Sequence, residues 1–117
     1  MLTIRPEQMR VLGLALQERF SARMAKYLRR VYAKYVANWS DEQLFGLIEQ
    51  ATTDARDYGI TAERDVARYI GYAVTYGREF HLKPWAAGIL ETPKINGTQK
   101  MDRLDAYDLF AGRSGAG

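Results

Sequence analysis

The chain of 117 residues contains no cysteine. That absence excludes a disulfide scaffold, a zinc ribbon, a Cys-ligated iron–sulfur cluster and a thiol nucleophile. Histidine occurs once, as His81, so a two-His metal site cannot form and His-dependent acid–base chemistry has a single candidate. No stretch approaches the roughly 18 consecutive apolar residues of a membrane span. Glu7 and Arg10 follow soon after the start, and no apolar core of a signal peptide appears. A cytoplasmic protein is therefore expected, with no membrane span, cofactor or metal. No glycine-rich turn leads into Lys-Ser/Thr, so a phosphate loop is also excluded. Period-two strand patterning, internal repeats and low-complexity tracts are absent as well.

What is present is helical periodicity. The length suits one domain, which at this size buries roughly two-thirds of the surface exposed by the unfolded chain. Met9, Leu12, Leu16, Phe20, Met24, Tyr27, Leu28, Val31 and Tyr35 recur at three- and four-residue steps. They predict one long helix from about Pro6 to about Ala37, with Pro6 at its first turn. Asn38-Trp39-Ser40 breaks that pattern. Ser40 and Gln43 then form a capping-box pair, opening a second helix whose inner face carries Leu44, Phe45, Ile48, Ala51 and Ala55. Tyr58-Gly59 should end it, with Gly59 left-handed and Ile60 folded back onto the last turn. Thr61 is the expected cap of a third helix, with an inner stripe of Val66, Ile70, Ala73 and Val74, flanked by Tyr69 and stopped by Gly77. Pro84 opens a short helix to about Leu90. After an Asn96-Gly97 turn, Thr98 is expected to cap a last helix reaching Phe110, with Met101, Leu104, Leu109 and Phe110 apolar. The expected fold is all-α: one long N-terminal helix packed with three or four shorter ones, a single-domain bundle over residues 1–110 and a flexible C-terminal tail over 111–117.

The net charge of +3 is unevenly spread. Through residue 37 there are eight Lys/Arg against Glu7 and Glu18, whereas the remainder has nine basic and twelve acidic residues. Arg19, Arg23, Lys26, Arg30 and Lys34 are three or four apart and form a stripe beside the apolar face. Such a stripe serves as a solvated or internally neutralised helix face, or it meets an acidic protein, nucleic acid or a membrane surface. Nucleic acid is disfavoured because no recognised binding motif accompanies the stripe.

Eight tyrosines are a second feature. Tyr69, Tyr72 and Tyr76 are neighbours on one helix. Tyr32 and Tyr72 lie off the main apolar stripes, where an amphipathic ring can anchor a protein contact, and Trp85 joins them as a candidate. Paired carboxylates (Asp54 with Asp57, Asp105 with Asp108, Glu63 with Asp65) have the spacing for acid–base work. Helix-dipole complementarity or pairing with Arg56, Arg64 and Arg68 explains them more simply. His81, between Phe80 and Leu82, fits a packing or capping role. No catalytic residues are assigned, and no enzyme is expected.

The order of segments also carries a resemblance. Leu2-Thr3-Ile4-Arg5-Pro6-Glu7-Gln8-Met9 is followed by Tyr58-Gly59-Ile60-Thr61-Ala62-Glu63-Arg64-Asp65-Val66. Pro84-Trp85-Ala86 with Ile89-Leu90 comes next, and then Lys100-Met101-Asp102-Arg103-Leu104. Together these resemble small bacterial helical proteins encoded beside type VI secretion spike and effector genes. The chain departs from that group at Asn38-Trp39, where a Phe-Pro helix end is expected. The resemblance implies an accessory role, as an adaptor or chaperone for a secretion effector or spike protein, and supplies no catalytic residue. The alternatives are a toxin immunity protein and a small basic nucleic-acid-binding protein.

Overall fold

The computed structural model describes the backbone of residues 6–113 and the side chains of residues 18–111. Met9, Leu12 and Leu16 of the first apolar stripe therefore fall outside the described side chains, and residues 114–117 of the expected tail outside the described backbone. The helices are α1 (Pro6–Val31), α2 (Ala33–Val36), α3 (Asp41–Asp57), α4 (Glu63–Tyr76), α5 (Pro84–Leu90) and α6 (Gly97–Arg113). A 3₁₀ turn at Arg78–Leu82 joins α4 to α5. Among the described residues the fold is all-α.

The expected continuous helix to Ala37 is corrected. α1 stops at Val31, Tyr32 leaves helical geometry (φ −110°, ψ 33°), and the single turn α2 follows. The cause is tertiary. Tyr32 lies against Gly71 of α4, so close that a Cβ added at Gly71 would stand 2.4 Å from the Tyr32 hydroxyl. Arg29 then closes the broken end. Its guanidinium donates to the carbonyls of Val36 and Trp39, each at 2.8 Å, and to Asp41 at 2.9 Å. Orphan carbonyls at the end of a helix need such a donor.

Local signals decide the middle of the chain. The Gln43 backbone N–H donates to the Ser40 hydroxyl at 3.1 Å, and the Gln43 side chain accepts from the Ser40 N–H at 2.9 Å. At the other end of α3, Gly59 has φ +79°. The Ile60 N–H reaches back to Ala55 O at 2.9 Å, which is the six-to-one bond of a Schellman motif. Two expected caps are displaced. The α4 N-cap is Ala62, without a side-chain bond, in place of Thr61. α6 is capped by Asn96, which accepts from Gln99 N–H at 2.8 Å, and the Thr98 hydroxyl is spent on Asp65.

α4 is the central element. Tyr69, Ile70 and Ala73 are buried along it, and Tyr69, expected at the flank, is fully enclosed. α3 packs beside it with Leu44, Ile48, Ala51 and Ala55. Leu28 and Met24 of α1 complete that side, and Phe80, Leu90, Met101 and Leu104 complete the other. Gly97 sets how α6 docks, because a Cβ there would meet the Gly59 carbonyl at 2.7 Å. The expected apolar faces are only partly used: Tyr27, Val31, Tyr35, Phe45, Leu109 and Phe110 are exposed.

Candidate functional site

α1–α2 and α6 both rest on α4, and between them α4 forms the floor of an open cleft of about 470 Å³. Arg64, Arg68, Gly71, Tyr72, Thr75 and Tyr76 come from the floor. Tyr27 and Tyr32 form one wall, and Asp105 and Asp108 the other. The four-residue spacing of Arg68, Tyr72 and Tyr76 stacks these side chains along one face of α4. Asp105 and Asp108, one turn apart on α6, meet them from across the cleft.

Arg68 ties the base together. It donates to Asp65 at 3.0 Å, to Asp102 at 2.8 Å and to Asp105 at 2.6 Å. Asp65 is almost fully buried, at 1% exposure, so its charge needs these partners. Burial alone would push its carboxyl up, but the hydrogen bonds from Thr98 and Arg68, with the Arg68 charge, hold it below the usual aspartate range. Burial likewise works against the Arg68 charge, and its three carboxylates outweigh that, raising its pKa. Tyr72 donates to Asp105 at 2.7 Å, and Tyr76 donates to Asp108.

Three of the cleft tyrosines are raised above their ordinary range. Burial, then the neighbouring Tyr27 and Asp105, push the Tyr32 hydroxyl up. Burial and the bond to Asp105 do the same for Tyr72. The bond to Asp108, then burial, take Tyr76 up to about 12. At neutral pH Tyr32, Tyr72 and Tyr76 therefore keep their protons. Tyr27 and Tyr32 pack edge to face at 6.1 Å, and Tyr72 and Tyr76 stack at 6.0 Å. Offset and edge-to-face ring pairs of this kind are attractive.

Of the residues singled out from the sequence, Tyr32 and Tyr72 line this cleft. Trp85 stands behind it, half-buried, stacked on Tyr107 at 5.2 Å and edge-on to Tyr76. Arg19, Arg23, Lys26, Arg30 and Lys34 are all exposed and none lines the cleft. Arg23 pairs with Glu63 at 2.9 Å. Lys26 and Arg30 border a more open hollow between α1 and α3, about 530 Å³, which also contains Phe45. The stripe and the aromatic candidates thus do not form one site.

Sequence reasoning missed Gly71, Asp105 and Asp108 as members of a shared cleft. The only signals were the Asp105–Asp108 spacing and a glycine inside a helical pattern. Their meeting depends on the packing of α6 on α4. Of the carboxylates singled out for their spacing, Asp65 and Asp105 pair with Arg68.

A second polar group lies on the far side of the bundle. Burial, then the charges of Glu91, Asp54 and Asp57, push the Tyr58 hydroxyl up, and it shares a hydrogen bond of 3.0 Å with His81 Nδ1. His81 Nε2 then faces Asp54 at 3.7 Å, beyond hydrogen-bond length. His81 thus links the 3₁₀ turn to the end of α3.

Among the described residues no cluster of three or more His, Asp or Glu side chains is arranged to hold a metal ion, and no helix is long and apolar enough to cross a membrane. No family model, curated protein or solved structure matches the chain.

Proposed function

We propose that this protein is a non-enzymatic binding module of the bacterial cytoplasm, acting as an adaptor, chaperone or accessory factor for a type VI secretion effector or spike component. The secretion context comes from the segment resemblance, above all Tyr58-Gly59-Ile60-Thr61 with Glu63-Arg64-Asp65-Val66. The observation that carries the binding reading is the tyrosine-lined cleft, whose rim leaves Tyr27 37% and Tyr76 38% exposed, with Tyr35 beside them at 51%. Large rings that are anchored by neighbours yet open to solvent supply contact area at low entropic cost, and such residues dominate binding energy at protein interfaces. Arg68 and Tyr72 bond to Asp105 and Tyr76 bonds to Asp108, an arrangement that suits recognition rather than turnover.

Co-expression with the products of adjacent genes, followed by co-purification and size-exclusion chromatography, tests the proposal. A stoichiometric complex with an effector or spike component is expected, weakened by Tyr76→Ala. If no adjacent product co-purifies, the proposal fails. A toxin immunity protein would use the same surface, but its deletion would kill the host, whereas loss of an adaptor abolishes export only.

One observation favours a different class. Arg19, Lys26, Arg30 and Lys34 are exposed and have no acidic partner among the described residues. A nucleic-acid reading of the whole stripe, Arg23 included, requires binding that weakens steeply with salt and disappears when these residues are changed to Glu.

A further inference from the structure

The charges that line the cleft cancel, Arg64 and Arg68 against Asp105 and Asp108. Asp65 and Asp102, which bind Arg68 from outside the lining, bring the surrounding network to two positive against four negative, a balance of −2. Arg68 is already committed to three of these carboxylates, so it has little left for an incoming anion. Arg64 projects outward, its side chain 79% exposed. Asp105 spends one oxygen on Arg68 and the other on Tyr72. Asp108 differs. One oxygen accepts from Tyr76, and the other has no partner among the described residues although the residue is only half-exposed. The rings of Tyr76, Tyr72 and Tyr32 line the same cleft, with Thr75 in its floor and the Tyr32 hydroxyl over Gly71.

We infer that this cleft seats an arginine side chain presented by the protein partner, its guanidinium paired with Asp108 and sandwiched among the tyrosine rings. The inference rests on the protein-binding reading above and names the chemistry that the site recognises. A planar guanidinium fits because it stacks on aromatic faces while donating in its own plane to a carboxylate. A volume of about 470 Å³ exceeds one side chain, so apolar neighbours of that arginine would cover the exposed rings of Tyr27 and Tyr76. The basic stripe on α1 lies outside the cleft, so it does not compensate the site from within.

The test uses two fluorescein-labelled alanine–leucine peptides, one with a single central arginine and one with citrulline, which keeps the shape and removes the charge. Fluorescence anisotropy on the full chain should show the arginine peptide binding at least tenfold tighter. Asp108→Asn should remove most of that preference, and Thr75→Arg, which offers the cleft a guanidinium of its own, should abolish binding. Circular dichroism checks that each variant is folded, and either variant alone suffices. Amide NMR shifts on adding methylguanidinium chloride should centre on Gly71 and Tyr76. Equal binding of the two peptides, no binding of either, or shifts centred on Lys26 and Phe45 would overturn the inference. Should an adjacent gene product co-purify equally well with wild type and Asp108→Asn, the arginine site fails while the binding-module reading survives. Should none co-purify with wild type, the broader reading fails by itself.

Discussion

Replacing Gly71 by alanine sets two effects of similar size against each other. Alanine inside a helix is worth about 1 kcal/mol over glycine, so an uncrowded site in α4 would gain that much. Here the new Cβ would lie 2.4 Å from the Tyr32 hydroxyl and 3.1 Å from Cζ, and the ring must swing away. Tyr32 is half-buried, and its ring packs with Tyr27 and Tyr35 at 6.1 and 6.2 Å. Displacing it is an overpacking change, with a typical cost of about 1–3 kcal/mol. We therefore expect Gly71→Ala to destabilise the protein by about 1 kcal/mol net in urea unfolding followed by far-UV circular dichroism. In a Tyr32→Phe background the closest contact becomes the 3.1 Å approach to Cζ, and the substitution should be neutral within about 0.5 kcal/mol. With Tyr32→Ala the obstacle is gone, and Gly71→Ala should stabilise by about 1 kcal/mol. The same shift in all three backgrounds would mean that Tyr32 and Gly71 are not coupled. The stated cause of the helix break would then be wrong.

Three further outcomes follow from the same packing. Asp65 is buried and its carboxyl is held below the usual range. Its stabilisation is thus present above the unfolded-state value near pH 4 and lost as pH falls toward the folded value. Asp65→Asn should cost about 3 kcal/mol near neutrality and flatten the acid limb of the stability profile, and an unchanged limb would contradict the assignment. Tyr32, Tyr58, Tyr69 and Tyr72 are raised chiefly by burial, and Tyr76, chiefly by its bond to Asp108, is taken up to about 12. Their contribution is complete below about pH 10 and is lost as pH rises toward the folded values. Tyrosinate absorbance should therefore lag behind free tyrosine and then rise together with unfolding. A pair of glycines separates space from propensity. Gly97→Ala meets the Gly59 carbonyl at 2.7 Å and should lower stability by about 1–3 kcal/mol. Gly88→Ala in α5 meets nothing within 4 Å and should raise it by about 1 kcal/mol. Thermal melts of the two variants give the comparison directly.

The helix boundaries that sequence reading located well are those with a local cause. The Ser40–Gln43 box and the Gly59–Ile60 stop satisfy backbone groups within a few residues, and Pro84 at the start of α5 presets the first turn and removes one orphan donor, so the information is contained in the segment. Where reading failed, the deciding partner was distant. Thr98 looks like a cap, but its hydroxyl is taken by Asp65, thirty-three positions away, and Asn96 caps α6 instead. Tyr69 looks like a flank because periodicity describes one face, whereas α4 is covered on several sides and encloses it. Leu109 and Phe110 keep the apolar period of α6 but remain exposed, since no described element lies over them.

The candidate site divides in the same way. Tyr32 and Tyr72 stood out as amphipathic rings off the apolar stripes, and the Asp105–Asp108 spacing was visible, but nothing in the order of residues joined them. The basic stripe was equally visible and lies elsewhere on the surface. By itself, then, the sequence determined an all-helical chain, most of its helix ends and the classes of chemistry closed to it, because caps, periodicity and missing residue types act locally or by composition. Only the tertiary structure decided that α1 breaks at Tyr32, that Asp65 is buried, and that tyrosines of α1 and α4 face carboxylates of α6. Those outcomes depend on which helix surfaces meet, and that is set by side chains far apart in the chain.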